Sequence, residues 1–206
     1  GSPAGGGTDS YGILTDLGHS LRPPAPALCP LECDMRTLEG LRGLRIPALL
    51  TLKQRGRPVR SARGEILFNA GGISGIPAMQ LGGDAFALLP GGGVTVHIDL
   101  RPLMDLAPRT HAFFPIPPRE ADPSDILALL ERRKAILGER DLLVGLFPRV
   151  LSQVLSRKER DLSSLARRLS DWPLRVKGVR AESAQVMRGG ISCIEVNDQT
   201  LESTVI

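Results

Sequence analysis

The residues able to do chemistry are few and scattered. Cys29 and Cys33 stand in C-x3-C spacing, with Cys193 far away. A structural zinc site needs four ligands, usually in two spaced pairs, so no metal centre is expected. An odd number of thiols with no secretion signal fits free cysteines in a reducing compartment, and the expected location is cytoplasmic. His19, His97 and His111 are widely separated, and none forms an H-x-x-x-H pair. Each reads as a packing or surface residue. Gly72-Ile73-Ser74-Gly75-Ile76 has the outline of a nucleophile elbow, but its second glycine comes one place early. No His or acid stands near Ser74 in an interpretable order. The carboxylates Glu195 and Asp198 carry no distinctive spacing. The catalytic residues are therefore unknown from the sequence, and no self-contained catalytic constellation is legible.

Two features remain as candidate binding elements. Gly-Gly-Ile-Ser occurs twice, at Gly71–Ser74 and Gly189–Ser192, with different flanks. A glycine pair lets another backbone or a flat ligand come close. Lys53, Arg55, Arg57, Arg60 and Arg63 form the densest basic cluster, with no acid between them. It reads either as a phosphate-contacting hairpin or as a solvated edge whose charges discourage strand-to-strand aggregation. No aromatics interleave with these charges to stack bases, so nucleic-acid binding is not the favoured reading.

The elements that must carry these residues fall into three blocks. Tyr11–Leu17 patterns as a short helix, capped by Asp9 or Ser10 and stopped by Gly18. Pro23, Pro24, Pro26 and Pro30 force an extended, irregular segment. From about Leu44 to Leu100 the pattern is β. Arg55-Gly56-Arg57-Pro58 supplies a hairpin turn, Glu65-Ile66-Leu67-Phe68 packs inward, and Val94–Leu100 alternates with a period of two. Gly71–Pro77 reads as too glycine-rich for regular structure, and Ala78–Leu81 as a short buried segment. Strands with glycine turns and no intervening helices argue for an antiparallel barrel or sandwich. A helical block follows. Asp122-Pro123-Ser124-Asp125 is a strong start signal, with Ile126, Leu129, Leu130 and Leu137 on one face. Leu142–Leu155 repeats at three and four, with Pro148 either kinking that helix or beginning a new one. Asp161 or Ser163 caps a last helix ending by Trp172-Pro173. After it, Leu174–Val176, Ala184–Met187 and Ile191–Val196 return to β character.

Composition is compatible with this order. The chain has 206 residues, a net charge of +4 and 42% hydrophobic residues, enough for a core. Its 23 glycines and 17 prolines predict many turns. No apolar run approaches the ~18 residues of a membrane-spanning helix, so no membrane partner is expected. The P-loop and a complete G-x-G-x-x-G are absent, and Gly5-Gly6-Gly7 has no strand before it.

Four stretches resemble the bacterial FAD-dependent oxidoreductases described as BaiN-like or aminoacetone-oxidase-like. These are GGGTDSYGILTDLGH, ending at His19; PPAPALCPL, Pro23–Leu31; GEILFNAGGISGIPAMQL, Gly64–Leu81; and the closing pattern Trp172–Ser203. The chain departs at Asn69-Ala70, where the family commonly has Thr-His, and at Met187, where it often has Thr. The family's G-x-G-x-x-G unit and its C-terminal glycine-rich FAD segment would lie outside this chain. The resemblance implies an α+β fold: a Greek-key antiparallel β-barrel over residues 20–120, a helical subdomain over 121–172 and a return strand over 173–182. Residues 1–19 and 183–206 would then be flanks of an FAD-binding domain of the same parent chain. It implies FAD in the full-length parent, with NAD(P)H as a candidate donor, and a small organic substrate. The fragment alone is expected to be inactive and to lack the cofactor. Gly189 and Gly190 are the implied cofactor-binding positions, where the backbone would approach the flavin ring. The alternative is a non-enzymatic barrel module for RNA or a protein partner, since barrels of this kind also occur in translation factors.

Overall fold

The computed structural model describes residues 9–104, 122–140, 142–159 and 161–206. The Gly5-Gly6-Gly7 loop and His111 lie outside the described residues. A six-stranded antiparallel barrel closes in the order β2-β5-β4-β3-β6-β7. Its strands are β2 (Leu31–Cys33), β3 (Arg45–Gln54), β4 (Arg57–Asn69), β5 (Gly72–Ser74), β6 (Val94–Asp99) and β7 (Trp172–Val179). Strands β3, β4 and β5 run as a meander, and β6 returns beside β3, which is the Greek-key order.

The longest ladder is a hairpin. Strand β3 alternates inward Ile46, Ala48, Leu50 and Leu52 with outward residues, and β4 opposes it from Arg45↔Leu67 to Gln54↔Arg57. Its turn places Arg55 and Gly56 at φ +49° and +81°, both positive as the right-handed strand twist favours. Strand β6 buries Val94, Val96 and Ile98, as its period of two predicts. With Phe68, Ile73, Trp172 and Leu174 these side chains form the barrel core.

The glycine-rich stretch departs from expectation. Gly72–Ser74 is strand β5, and Ile76–Leu88 is a 13-residue helix, α2, so helices do intervene among the strands. Pro77 stands in its first turn, where a missing N–H costs nothing. Ala78, Leu81 and Ala85 join the barrel core. Gly82 and Gly83 are buried where α2 crosses the chain between Ala27 and Cys29: a Cβ on Gly82 would lie 2.1 Å from the Cys29 carbonyl oxygen. Glycine lowers helix propensity in isolation, but here only glycine permits the approach.

Proline-rich Leu21–Leu28 is extended and paired, as β1, with β8 (Val186–Ile191) in a separate two-stranded ribbon. The barrel thus begins at Leu31 rather than near residue 20. Register shifts interrupt the pairing around Pro23 and Pro24, which have no N–H to give.

The helical unit follows the capping signals. Helix α4 (Pro123–Leu137) starts from a reciprocal capping box between Asp122 and Asp125 and ends at Gly138. Its buried face is Ile126, Leu129, Leu130 and Arg133; Leu137 is exposed, against expectation. Arg133 occupies that inward row because its guanidinium donates to the Leu142 and Val144 carbonyls, at 2.7 and 2.6 Å, and so ties down the following turns. Pro148 begins a new helix, α5 (Arg149–Lys158), whose Val150 is exposed. Asp161 caps α6 (Leu162–Ser170) by accepting the Ser164 N–H at 2.7 Å. The unit is fastened to the barrel by Leu100 N–H to Leu169 O (2.8 Å), by His97 to Asp171 (2.6 Å), and by the Arg168 guanidinium 5.5 Å above the Trp172 ring. One continuous core runs through both units. Among the described residues no helix is long and apolar enough to cross a membrane.

Candidate functional site at the flanking ribbon

The two flanks meet on one side of the molecule. Helix α1 (Asp9–Asp16) stops where the sequence predicts: Gly18 takes φ +97°, its N–H bonds Thr15 O, and the His19 N–H bonds Leu14 O. This paired closure turns the chain sharply and delivers His19 inward. His19 is buried, and its Nδ1 lies 3.0 Å from Glu195 Oε2. The Ser20 N–H donates to both Glu195 oxygens, at 3.2 and 2.9 Å. Ser20 and, less strongly, His19 hold the Glu195 carboxyl below the usual carboxylate range. On the far side of the imidazole, Ser203 Oγ lies 3.1 Å from Nε2.

The order Ser203–His19–Glu195 is that of a hydrolytic triad, and sequence reasoning missed it because the partners are 176 and 184 residues apart. The hydroxyl environment argues for a joint instead of a nucleophile. Ser203 Oγ accepts the Val205 and Ile206 N–H groups, each at 3.1 Å, so its lone pairs are engaged by its own turn. With Nδ1–H directed at an ionised Glu195, Nε2 is left to accept from Ser203. The cluster locks the N-terminal flank to the C-terminal one. Ser74, by contrast, accepts from Asn69 Nδ2 at 2.9 Å and has no histidine partner among the described residues.

Gly189 and Gly190 lie in β8, with φ +95° and +103°. A Cβ on Gly189 would sit 2.6 Å from Pro23 O and 2.9 Å from Arg22 O, so one close approach that this pair permits is to β1 itself, at the proline bulge. Gly190 is buried, its Cβ position 3.8 Å from Tyr11 Cε1 of α1, while Gly189 is exposed. The flanks carry exposed apolar side chains: Ile13 of α1, Leu17 just after it, Leu21 of β1 and Val186 of β8. Ile194, Leu201 and Ile206 extend the exposed apolar surface along the C-terminal flank, at 88%, 78% and 69% exposure.

The other candidates sit elsewhere. Cys29 is buried near α2 and Cys33 in the barrel core, where burial pushes its thiol up to about 12; Cys193 is exposed. Among the described residues no group of three His, Cys, Asp or Glu side chains is placed to hold a metal ion. In the basic hairpin, Arg60 pairs with Asp84 at 3.1 Å and Lys53 with Asp171 at 3.6 Å, so part of its charge is matched internally.

Known proteins add a framework to this geometry. A family model described as "HI0933-like protein barrel and H2TH domain" matches residues 25–186, which takes in the barrel, α2 and the helical unit. The 3-dehydro-bile acid delta(4,6)-reductase of Clostridium scindens is 25% identical over 205 residues, covering 94% of this chain and 47% of that protein. The chain thus spans about half the length of this curated relative. The resemblance to BaiN-like flavoproteins read from the motifs and the barrel-plus-helices fold agree with both matches. On the strength of the family match across most of its length, the chain belongs to the HI0933-like protein barrel and H2TH domain family.

Proposed function

We propose that this chain is the substrate-cap region of an FAD-dependent oxidoreductase acting on a small organic substrate. The observation that carries the reading is the exposed apolar surface of the flanks. Ile13, Leu17, Leu21, Val186, Ile194, Leu201 and Ile206 are partly or largely exposed, all on the two end segments. Exposed apolar area of this kind marks a surface that another folded unit covers. A flavin-binding domain of the same parent chain is the covering unit in this reading. The family match and the reductase relative support it.

FAD, when bound, supplies the redox chemistry, with NAD(P)H as its possible donor. The residues of this chain would do three things. Gly189, and Gly190 behind it, would bring backbone against the ring face. The His19–Glu195–Ser203 joint would hold β1, β8 and α1 in fixed relation. The barrel and helical unit would exclude water from the substrate side. The test is to purify the 206-residue chain and a longer polypeptide carrying both flanking regions. Flavin absorbance is expected in the longer protein only. A colourless longer protein whose melting is unchanged by added FAD would overturn the proposal.

A further inference from the structure

The far end of the barrel carries a second surface that the cap reading does not use. Strands β6 and β7 pair from Ile98↔Trp172 to Thr95↔Arg175 and no further. Beyond Arg175, β7 swings across to β2, with Cys33↔Val176 and Leu31↔Val179. A groove of about 520 Å³ opens at this divergence, lined by Leu89, Gly92–Thr95 and Arg175–Lys177. That volume lies in the range of small-molecule sites.

The groove's chemistry is one-sided. Val94 and Val176 line it with backbone, their side chains turned into the barrel core, and half-buried Leu89 is the apolar side chain of the lining. Arg175 and Lys177, two apart on β7, point outward from the same face. The hairpin tip adds Arg55, whose Nη2 donates to Gly91 O at 2.8 Å and whose N–H donates to Gly93 O at 2.8 Å. This brings a cation of the sequence cluster against the glycine turn that borders the groove. Among the described residues no acid lines the groove. Among the described residues no acidic side chain pairs with Arg55 or Arg175; Lys177 reaches Asp34 only at 3.9 Å, and Asp34 is already held by both guanidinium branches of Arg36. Gly92 has open space where a side chain would stand, so a ligand can reach the backbone there.

We propose that this groove binds the phosphate of a small phosphorylated molecule, with Arg175 and Lys177 on the charge and the body of the ligand beside Leu89 and the open Gly92 backbone. Guanidinium and ammonium groups on a shared face suit phosphate oxygens, and Leu89 with the side-chain-free Gly92 gives an organic body something to rest on that a bare ion lacks. A nucleic-acid strand is disfavoured because no aromatic side chain lines the groove to stack a base.

The probes are ADP, inorganic pyrophosphate and a short single-stranded RNA, titrated into the isotope-labelled 206-residue chain and followed by amide NMR. Shifts at Gly92, Gly93 and Thr95 are expected with ADP, and weaker binding with pyrophosphate. Arg175→Glu should weaken ADP at least about tenfold, the size expected for a charged hydrogen-bond partner. Arg149→Glu, exposed on the helical unit, should leave it unchanged. No shift with millimolar ADP, or an equal loss in both variants, overturns the proposal. RNA binding tighter than ADP, with steep salt dependence, overturns it in favour of a nucleic-acid surface.

Discussion

Replacing Gly82 with alanine tests how α2 is seated, and through it the flanking ribbon. In an exposed helix interior the change stabilises by about 1 kcal/mol, since alanine is the better helix former. At this position the added Cβ would stand 2.1 Å from Cys29 O and 2.6 Å from Cys29 Sγ. A carbon–oxygen contact wants about 3.3 Å, so the two segments must part by about 1 Å. The obstacle is backbone, which cannot rotate away as a side chain would. Overpacking of this kind costs about 1–3 kcal/mol, and about 2 kcal/mol is expected here. Separation also strains the Cys29 N–H to Met79 O bond, 3.3 Å long and worth about 1 kcal/mol. Against the helix gain, the net is a destabilisation of about 2 kcal/mol. With a urea slope near 2 kcal/mol/M, the unfolding midpoint should fall by about 1 M. Gly12→Ala is the matched control: it sits within α1 and nothing lies within 4 Å of its Cβ position. It should be neutral or slightly stabilising. Because α2 packs on β1 and β1 carries β8, amide signals of Gly189 and Gly190 should also move in Gly82→Ala. A Gly82→Ala protein as stable as Gly12→Ala, with those amides in place, would refute the close-packing argument.

Two further outcomes follow from the flank joint and the thiols. The Glu195 carboxyl is depressed in the folded state, so its stabilisation is complete above the ordinary carboxylate pKa of about 4.3 and is lost as pH falls through its lower folded value. Wild type should therefore be more stable than Glu195→Gln at neutral pH, with the two unfolding curves converging in acid; a gap that persists undiminished below about pH 2 speaks against the joint. Burial raises the pKa of both Cys29 and Cys33, whereas Cys193 is exposed. An aromatic disulfide reagent at mildly alkaline pH should label Cys193 at once and the other two only on unfolding; rapid labelling of all three in the native protein contradicts the packing of Cys29 and Cys33.

What the sequence alone determined were features settled by neighbours along the chain. The stop of α1 at Gly18, the Asp122 and Asp161 caps, the Arg55-Gly56 turn and the alternation of β6 all stand where their local chemistry put them. Each involves an N–H, a carbonyl or a φ angle within a few residues, so a short window holds all the information. The motifs also pointed to the family, and with it to a barrel joined to helices. What only the tertiary structure decided were approaches between distant segments. Ala78–Leu81 reads as a short buried segment, whereas the helix there runs on through Gly82 and Gly83, where only glycine lets Cys29 and Ala27 come so close. Four prolines spoke for an irregular segment, and β8 turned it into a strand. Leu137 fitted the apolar face, but the carbonyls of Leu142 and Val144 drew Arg133 inward instead. His19 met Glu195 and Ser203, and Arg55 met Gly91 and Gly93, across separations that no periodicity encodes. Such contacts depend on how closely two backbones can come, and that distance exists only once the chain has closed on itself.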